Sequence, residues 1–328
     1  MGAFREAIAK EVRKEMLNPE FDTRYGRAEG GGRVFWIRHA TAKNFCQFVK
    51  EHPPYDDNVA AVHTTISSAA GAVVAGRGDE VRITSGFSIS LGGVISLSAA
   101  AVKWVGEGYG NYRPTFTVNN SAQHGIAIHG DGVKLENVRF AAPSVDEALS
   151  MIRVKASGVT LKNIDGQGSD DARNFVDCIR VMGGSSDLSI ENVKIQCGRI
   201  AVNSFLSFEG PTSRFFSSGF YCTGSVAASG VIDATGANVR GAIIRDWQIA
   251  ARGSGKAAVT LDATKGEGVV KDCQLAGTAT TLANNGVFSG DWRLSQVFLS
   301  EETGNAAQGA LIPAADTGRN ITPSVVEP

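Results

Sequence analysis

Short apolar runs return along this chain at a fixed interval, and no other feature limits its fold so strongly. Residues 126–140 align with 152–164 and 179–195, and weaker copies follow over 231–249 and 259–275. Each copy reads strand, small-residue turn, strand, polar step, strand. The pivots Asn137, Asn163, Asn192, Trp247 and Cys273 lie 26, 29, 55 and 26 residues apart, and a degenerate copy around 215–223 splits the longest gap. A period in the twenties built from strands predicts a parallel β-solenoid, because one coil cannot bury its apolar face alone whereas stacked coils can. Alternate side chains of a strand face inward, so Ile126 and Ile128 fill the bore, and Ile152, Val154, Ile179 and Val181 take the same places in the next coils. Asn137, Asn163 and Asn192 then stack as an amide ladder inside a bend.

Composition agrees with a turn-rich, strand-rich fold. Glycine supplies 39 of 328 residues and proline only 9, which excludes a collagen-like or proline-rich chain. A net charge of −1 gives no electrostatic reason to bind nucleic acid or an anionic membrane. No stretch approaches the length of a membrane-spanning helix. The five cysteines are scattered without a CxxC pair, so reduced, mostly buried thiols are expected rather than a metal knuckle or disulfide scaffold. The first ten residues interleave acids and bases with no apolar core, unlike a secretory leader, so synthesis in a cytoplasm is expected.

The N-terminal part differs from the rest. Residues 1–38 carry 8 basic and 6 acidic side chains, and Phe4, Ile8, Val12 and Met16 recur every four residues as one apolar stripe of a helix over about 4–17. Three glycines, 30–32, then precede an apolar run containing Phe35 and Trp36. This pattern fits either a helix packed on its own domain or a hinged arm that docks on another subunit through Phe4, Ile8, Val12, Met16, Phe35 and Trp36. Thr64 and Thr65 can cap a second helix with Ile66, Ala69, Ala70, Val73 and Val74 on one side, ended by Gly76. The expected division is an arm over 1–55, a β-helix over 56–300 and an irregular tail over 301–328.

These residues together resemble right-handed parallel β-helix proteins of the pectate-lyase-like class. A helix over 65–75 followed by Gly78 and Asp79 is similar to the opening of such proteins, where an amphipathic helix closes the bore. The stretch 102–117, with Gly106, Gly108, Arg113, Pro114 and Thr115, resembles the second coil of bacteriophage virion proteins of this class. That resemblance implies an all-β right-handed parallel β-helix, a phage virion structural protein and a homotrimer. The charged, apolar-striped arm ahead of a solenoid that buries its own core points to attachment through residues 1–55, in a capsid-decorating or head-spike role with capsid or other virion proteins as partners.

The class also contains enzymes that cut polysaccharides. Asp165, Asp170, Asp171 and Asp177 fall together in what reads as one long loop, and paired carboxylates are what glycoside hydrolysis needs. All five histidines precede this cluster, so the His motif of the polygalacturonases is absent. A solvated acidic turn is the simpler reading. His124 and His129 lack a third ligand for a metal. Phe205, Phe208, Phe215, Phe216, Phe220 and Tyr221 crowd one coil and read as core or interface. No catalytic set, metal or cofactor is expected, and the protein is read as a non-enzymatic virion component. A depolymerase acting on a host surface glycan through Asp165, Asp170 and Asp171 is the alternative.

Overall fold

The computed structural model describes residues 31–301 apart from 142, 144–147, 169–174, 198–201, 226–229, 235–238, 253–256, 262–266 and 278–290. The chain winds as a right-handed parallel β-helix with three faces, its paired strands running parallel in register. One coil places Lys134–Glu136 on the first face, Arg139–Phe140 on the second and Ala148–Val154 on the third. The third face is a ladder of seven strands from Ile95–Leu97 to Ala257–Leu261. The first and second faces merge into one sheet because later strands, such as Ser189–Gln196, run through the bend between them.

That bend is set by residues that tolerate left-handed backbone. Asn137, Asn163 and Asn192 have φ of 58°, 54° and 56°, and Gly219, Asp246 and Asp272 continue the series at 68°, 56° and 55°. They lie 26, 29, 27, 27 and 26 residues apart. Asn, Asp and Gly share this tolerance for different reasons, the first two through local hydrogen bonding and glycine through its missing Cβ. Trp247 and Cys273 therefore follow the pivots rather than being them. They take the inward position occupied by Val138, Ile164, Val193 and Phe220 in the other coils, and all six side chains are buried.

The bore is filled by stacked side chains. Ile126, Ile152, Ile179 and Leu206 form one column, and Ile128, Val154, Val181 and Phe208 form another. Phe205, Phe215 and Phe220 are also in the core, whereas Tyr221 is exposed. Cys178, Cys197, Cys222 and Cys273 are buried free thiols, and burial first of all pushes the pKa of Cys178, Cys222 and Cys273 upward.

The N-terminal end departs from the expected arm. Strand β1 (Val34–Ile37) pairs with β2 (Val62–His63) and β3 (Glu80–Ile83), so the solenoid body begins well before residue 55. Phe35 belongs to the main core. Trp36 lies on the outer side, but helix α1 (Phe45–Glu51) covers it through Phe48, with ring centroids 5.4 Å apart, and Arg82 stacks over it at 5.4 Å. Neither side chain is left to anchor another subunit, because this chain supplies its own covering. Phe4, Ile8, Val12 and Met16 lie outside the described residues.

Helix α2 (Ile66–Ala72) buries Ile66 and Ala69, and Thr65 Oγ1 accepts its first free amide from Ser68 at 3.1 Å. It ends short of the expected Ala75. Asp79 is the reason: its buried carboxylate accepts from the amides of Val74 and Arg33, each at 2.8 Å, and from both Nε and Nη2 of Arg77. A chain that delivers the Val74 amide to Asp79 cannot keep it in the helix. Gly32 meets Gly78 so closely here that a Cβ on Gly32 would collide with the Gly78 backbone.

Candidate functional site

The outer side of the third face carries a nearly buried row of chemistry-bearing side chains. Register places His124, Ser150, Asp177 and Ser204 in one row, one per coil, with Ala127, Arg153, Arg180 and Ser207 in a second row beside it. A Cβ at Gly125 would point at Val118 and Phe140, into the core. Its neighbour Ile126 is also buried in the core, so two successive positions face inward, and position 124 falls on the outer side.

The row is hydrogen-bonded as two pairs and nearly shut off from water. His124 Nδ1 and Ser150 Oγ are 2.8 Å apart, and Ser204 Oγ donates to Asp177 Oδ1 at 2.7 Å. Arg180 clasps the other oxygen of Asp177 through Nη2 at 2.6 Å and Nε at 3.0 Å, and its Nε also lies 2.9 Å from Glu209 Oε1. One guanidinium thus joins two carboxylates from successive coils. Asp177 keeps 7% of its side chain exposed and Glu209 keeps 32%. A buried carboxylate needs such partners, since an unpaired charge here would be very costly.

The same surroundings keep His124 neutral. Burial is the first cause, and the positive charges of Arg153 and Arg180 add to it, taking its pKa down from 6.5 to about 4. Arg153 Nε is buried without a hydrogen-bond partner among the described residues. His, Ser and Asp are the residue types of an acyl-transfer triad, but the order differs. The serine, not the histidine, stands in the middle, so no base is oriented by a carboxylate. The set is better suited to hydrogen bonding and proton exchange with a polar ligand lying across the coils.

The acidic residues expected in one loop are separated. Asp165 opens the strand Asp165–Gln167 on the second face, where Arg113 Nη1 lies 2.8 Å from its Oδ2. Asp177 sits within Phe175–Val181 on the third face. Asp170 and Asp171 lie between them, outside the described residues. Ser150, Ser204, Arg153 and Arg180 escaped the sequence reading. The signal was present in the repeated Ile-Arg-Val of residues 152–154 and 179–181, preceded two positions earlier by Ser150 and Asp177.

No protein-family model and no curated protein matches this chain. Among solved structures it is similar to the endo-xylogalacturonan hydrolase of Aspergillus tubingensis, at 12% identity and a TM-score of 0.38, over 88% of this chain and 98% of that one. With a hydrolase as the matched structure, the expectation of a non-enzymatic protein is corrected to one that leaves activity open, and at a TM-score of 0.38 the likeness assigns none. At this identity and score the likeness says nothing of the substrate of this chain.

Proposed function

We propose that the protein is a polysaccharide depolymerase whose substrate lies along the outside of the third face. The observation that supports this is the pair of carboxylates, Asp177 and Glu209, held by one guanidinium on successive coils. Glycoside cleavage by water uses two such groups. Oxygens of the two carboxylates lie 3.0 and 2.9 Å from the same Nε of Arg180, too close to hold a water between them, so the two-step route fits. One carboxylate bonds to the anomeric carbon as the other protonates the departing glycosidic oxygen, and water then displaces the first carboxylate while giving its proton back to the second. Glu209, the more exposed, reaches the substrate. Asp177 is the second carboxylate, and Arg180 with Ser204 fixes its position. Host surface glycans are the substrate class.

Incubation with capsular, O-antigen and pectic polysaccharides, following new reducing ends, tests this, and unsaturated products would show elimination in place of hydrolysis and overturn it. Glu209→Gln and Asp177→Asn should each lower turnover by about a hundredfold or more. Turnover that survives both substitutions but is lost with Asp170→Ala plus Asp171→Ala places the chemistry at the acidic loop instead. Absence of product from every polymer overturns the reading.

A second reading concerns location. The stripe Phe4, Ile8, Val12 and Met16 supports attachment to a virion as a capsid-decorating or head-spike component, with the homotrimer as the assembly. Because β1 belongs to the solenoid, removal of residues 1–28 is the clean test. The shortened protein should stay folded and no longer bind particles, and full occupancy of particles by it overturns the attachment.

A further inference from the structure

Residues 106–113 connect the strand Lys103–Gly106 to the strand Thr115–Val118 and present two tyrosines to solvent. Tyr109 is 79% exposed and Tyr112 65%, the two most exposed large hydrophobic side chains among the described residues. Their rings stand edge to face, with centroids 6.3 Å apart and planes at 63°.

The backbone beneath these rings is heavily tied. Asn137, the first rung of the asparagine series, donates its side-chain amide to Gly106 O at 2.6 Å and Gly108 O at 2.8 Å. Tyr112 O accepts from Gly86 N at 2.8 Å and Ser85 Oγ at 3.1 Å, and Tyr112 N donates to Tyr109 O at 3.0 Å. Gly108 has φ +88°, and a Cβ there would stand 2.8 Å from Ser85 Oγ and from Tyr112 O, so only glycine lets the loop close. Two separate segments, residues 85–86 and Asn137, thus hold one loop whose two tyrosines remain exposed. Fixing a loop costs conformational entropy, and holding exposed rings in place before binding lowers the cost of contacting a ligand.

A polar rail continues from the rings across the second face. Arg139 donates from Nη1 to Asn111 Oδ1 at 3.1 Å and from Nη2 to Gln167 Oε1 at 2.7 Å. With their oxygens turned to the guanidinium, both amides direct their N–H groups away from it. We propose that Tyr109, Tyr112, Asn111, Arg139 and Gln167 form a carbohydrate-binding platform distinct from the Asp177–Glu209 centre, which holds a pyranose polymer without cutting it.

The chemistry selects this occupant. A pyranose offers an apolar C–H face to an aromatic ring and hydroxyls to planar amide and guanidinium groups. Two rings surrounded by polar side chains make too small an apolar patch for a stable protein interface. The rail also steps along the coil axis at about 4.8 Å per strand, a direction suited to an extended polymer. Only the ligand class is shared with the function proposed above.

Affinity electrophoresis of the full chain in gels containing capsular, O-antigen or pectic polysaccharide tests the platform. Tyr109→Ala plus Tyr112→Ala should weaken retardation about tenfold in apparent Kd, two stacked rings being lost. Tyr109→Phe plus Tyr112→Phe should keep most of the binding, and an unchanged circular dichroism spectrum should accompany both. Equal loss in the Phe and Ala pairs, an Ala pair as retarded as the unsubstituted protein, or no retardation of that protein by any polymer overturns the platform. Retardation that the Ala pair abolishes, in a protein whose Glu209→Gln form cuts at the full rate, upholds the platform and removes the cleavage centre.

Discussion

Asn192 donates its side-chain amide to Oδ1 of Asn163 in the preceding coil, at 3.0 Å, while both residues hold the left-handed backbone that turns the chain from the first face to the second. One residue type meets two needs there. Its conformation makes the corner, and its amide ties that corner to the next.

Replacing Asn163 separates the two contributions. Asn163→Ala loses the hydrogen bond, about 0.5–1.5 kcal/mol, and forces alanine into a conformation costing about 1–2 kcal/mol. Asn163→Gly loses the bond but relieves the backbone. Chemical denaturation should rank the native protein above the Gly variant and the Gly variant above the Ala variant. Equal stability of the two variants would show that the corner does not need left-handed backbone.

How much of this was legible in the sequence follows from which positions keep one residue type. The corner was readable where Asn recurs at 137, 163 and 192. Where Asp246 and Asp272 stand in for Asn, the repeat places the corner one residue late, at the apolar Trp247 and Cys273, and Gly219 carries no polar side chain to mark it. Phe35 and Trp36 read correctly as apolar, but their partners come from β3 and α1, far along the chain and unmarked by any local pattern. The row His124, Ser150, Asp177 and Ser204 recurs at 26 and 27 residues, yet strict alternation assigns position 124 to the core with Ile126 and Ile128. Two successive inward positions reverse the parity, and only register shows that. The carboxylate pair at Asp177 and Glu209 depends on one arginine between coils, which no spacing rule reveals.

Within the core, Trp247 Nε1 donates to Ser217 Oγ at 2.8 Å, and both groups are buried. Ser217→Ala strands the indole N–H in an apolar surround, a loss of about 1–3 kcal/mol. Trp247→Phe in the Ser217→Ala background should cost less than Trp247→Phe in the native protein, because the donor is then absent. A double-mutant cycle by thermal or urea unfolding measures the difference, and full additivity would deny the bond any energetic role.

Asp79 links the acid limit of stability to the N-terminal closure. Burial alone would raise its pKa, but the Arg77 guanidinium and the Arg33 and Val74 amides outweigh it and hold the carboxyl below 3.8. A depressed carboxylate contributes stability that is complete above its unfolded value and is lost as pH falls through its folded value. Asp79→Asn should therefore lower stability at neutral pH and flatten its decline below about pH 4. Parallel pH–stability curves for the two proteins would exclude Asp79 as the titrating group.

His124 acts over a different and higher range. Its folded pKa is about 4 against 6.5 when unfolded, so the folded chain excludes a proton that the unfolded chain accepts. The contribution is complete above 6.5, and it declines as pH falls from there toward 4, where the folded imidazole finally charges. His124→Gln keeps a polar side chain beside Ser150 without titrating, so its stability should change less across that interval than that of the native protein. Proton-detected titration of the five histidine rings reads the cause directly. Burial also lowers the pKa of His63, so the decisive signal is the imidazole that disappears from the set in His124→Gln, which should be one that remains neutral at pH 5.5 in the native protein. Were His124 to titrate near 6.5 in the folded protein, the outer row would be open to water, and the neutral imidazole beside Ser150 would have to be abandoned.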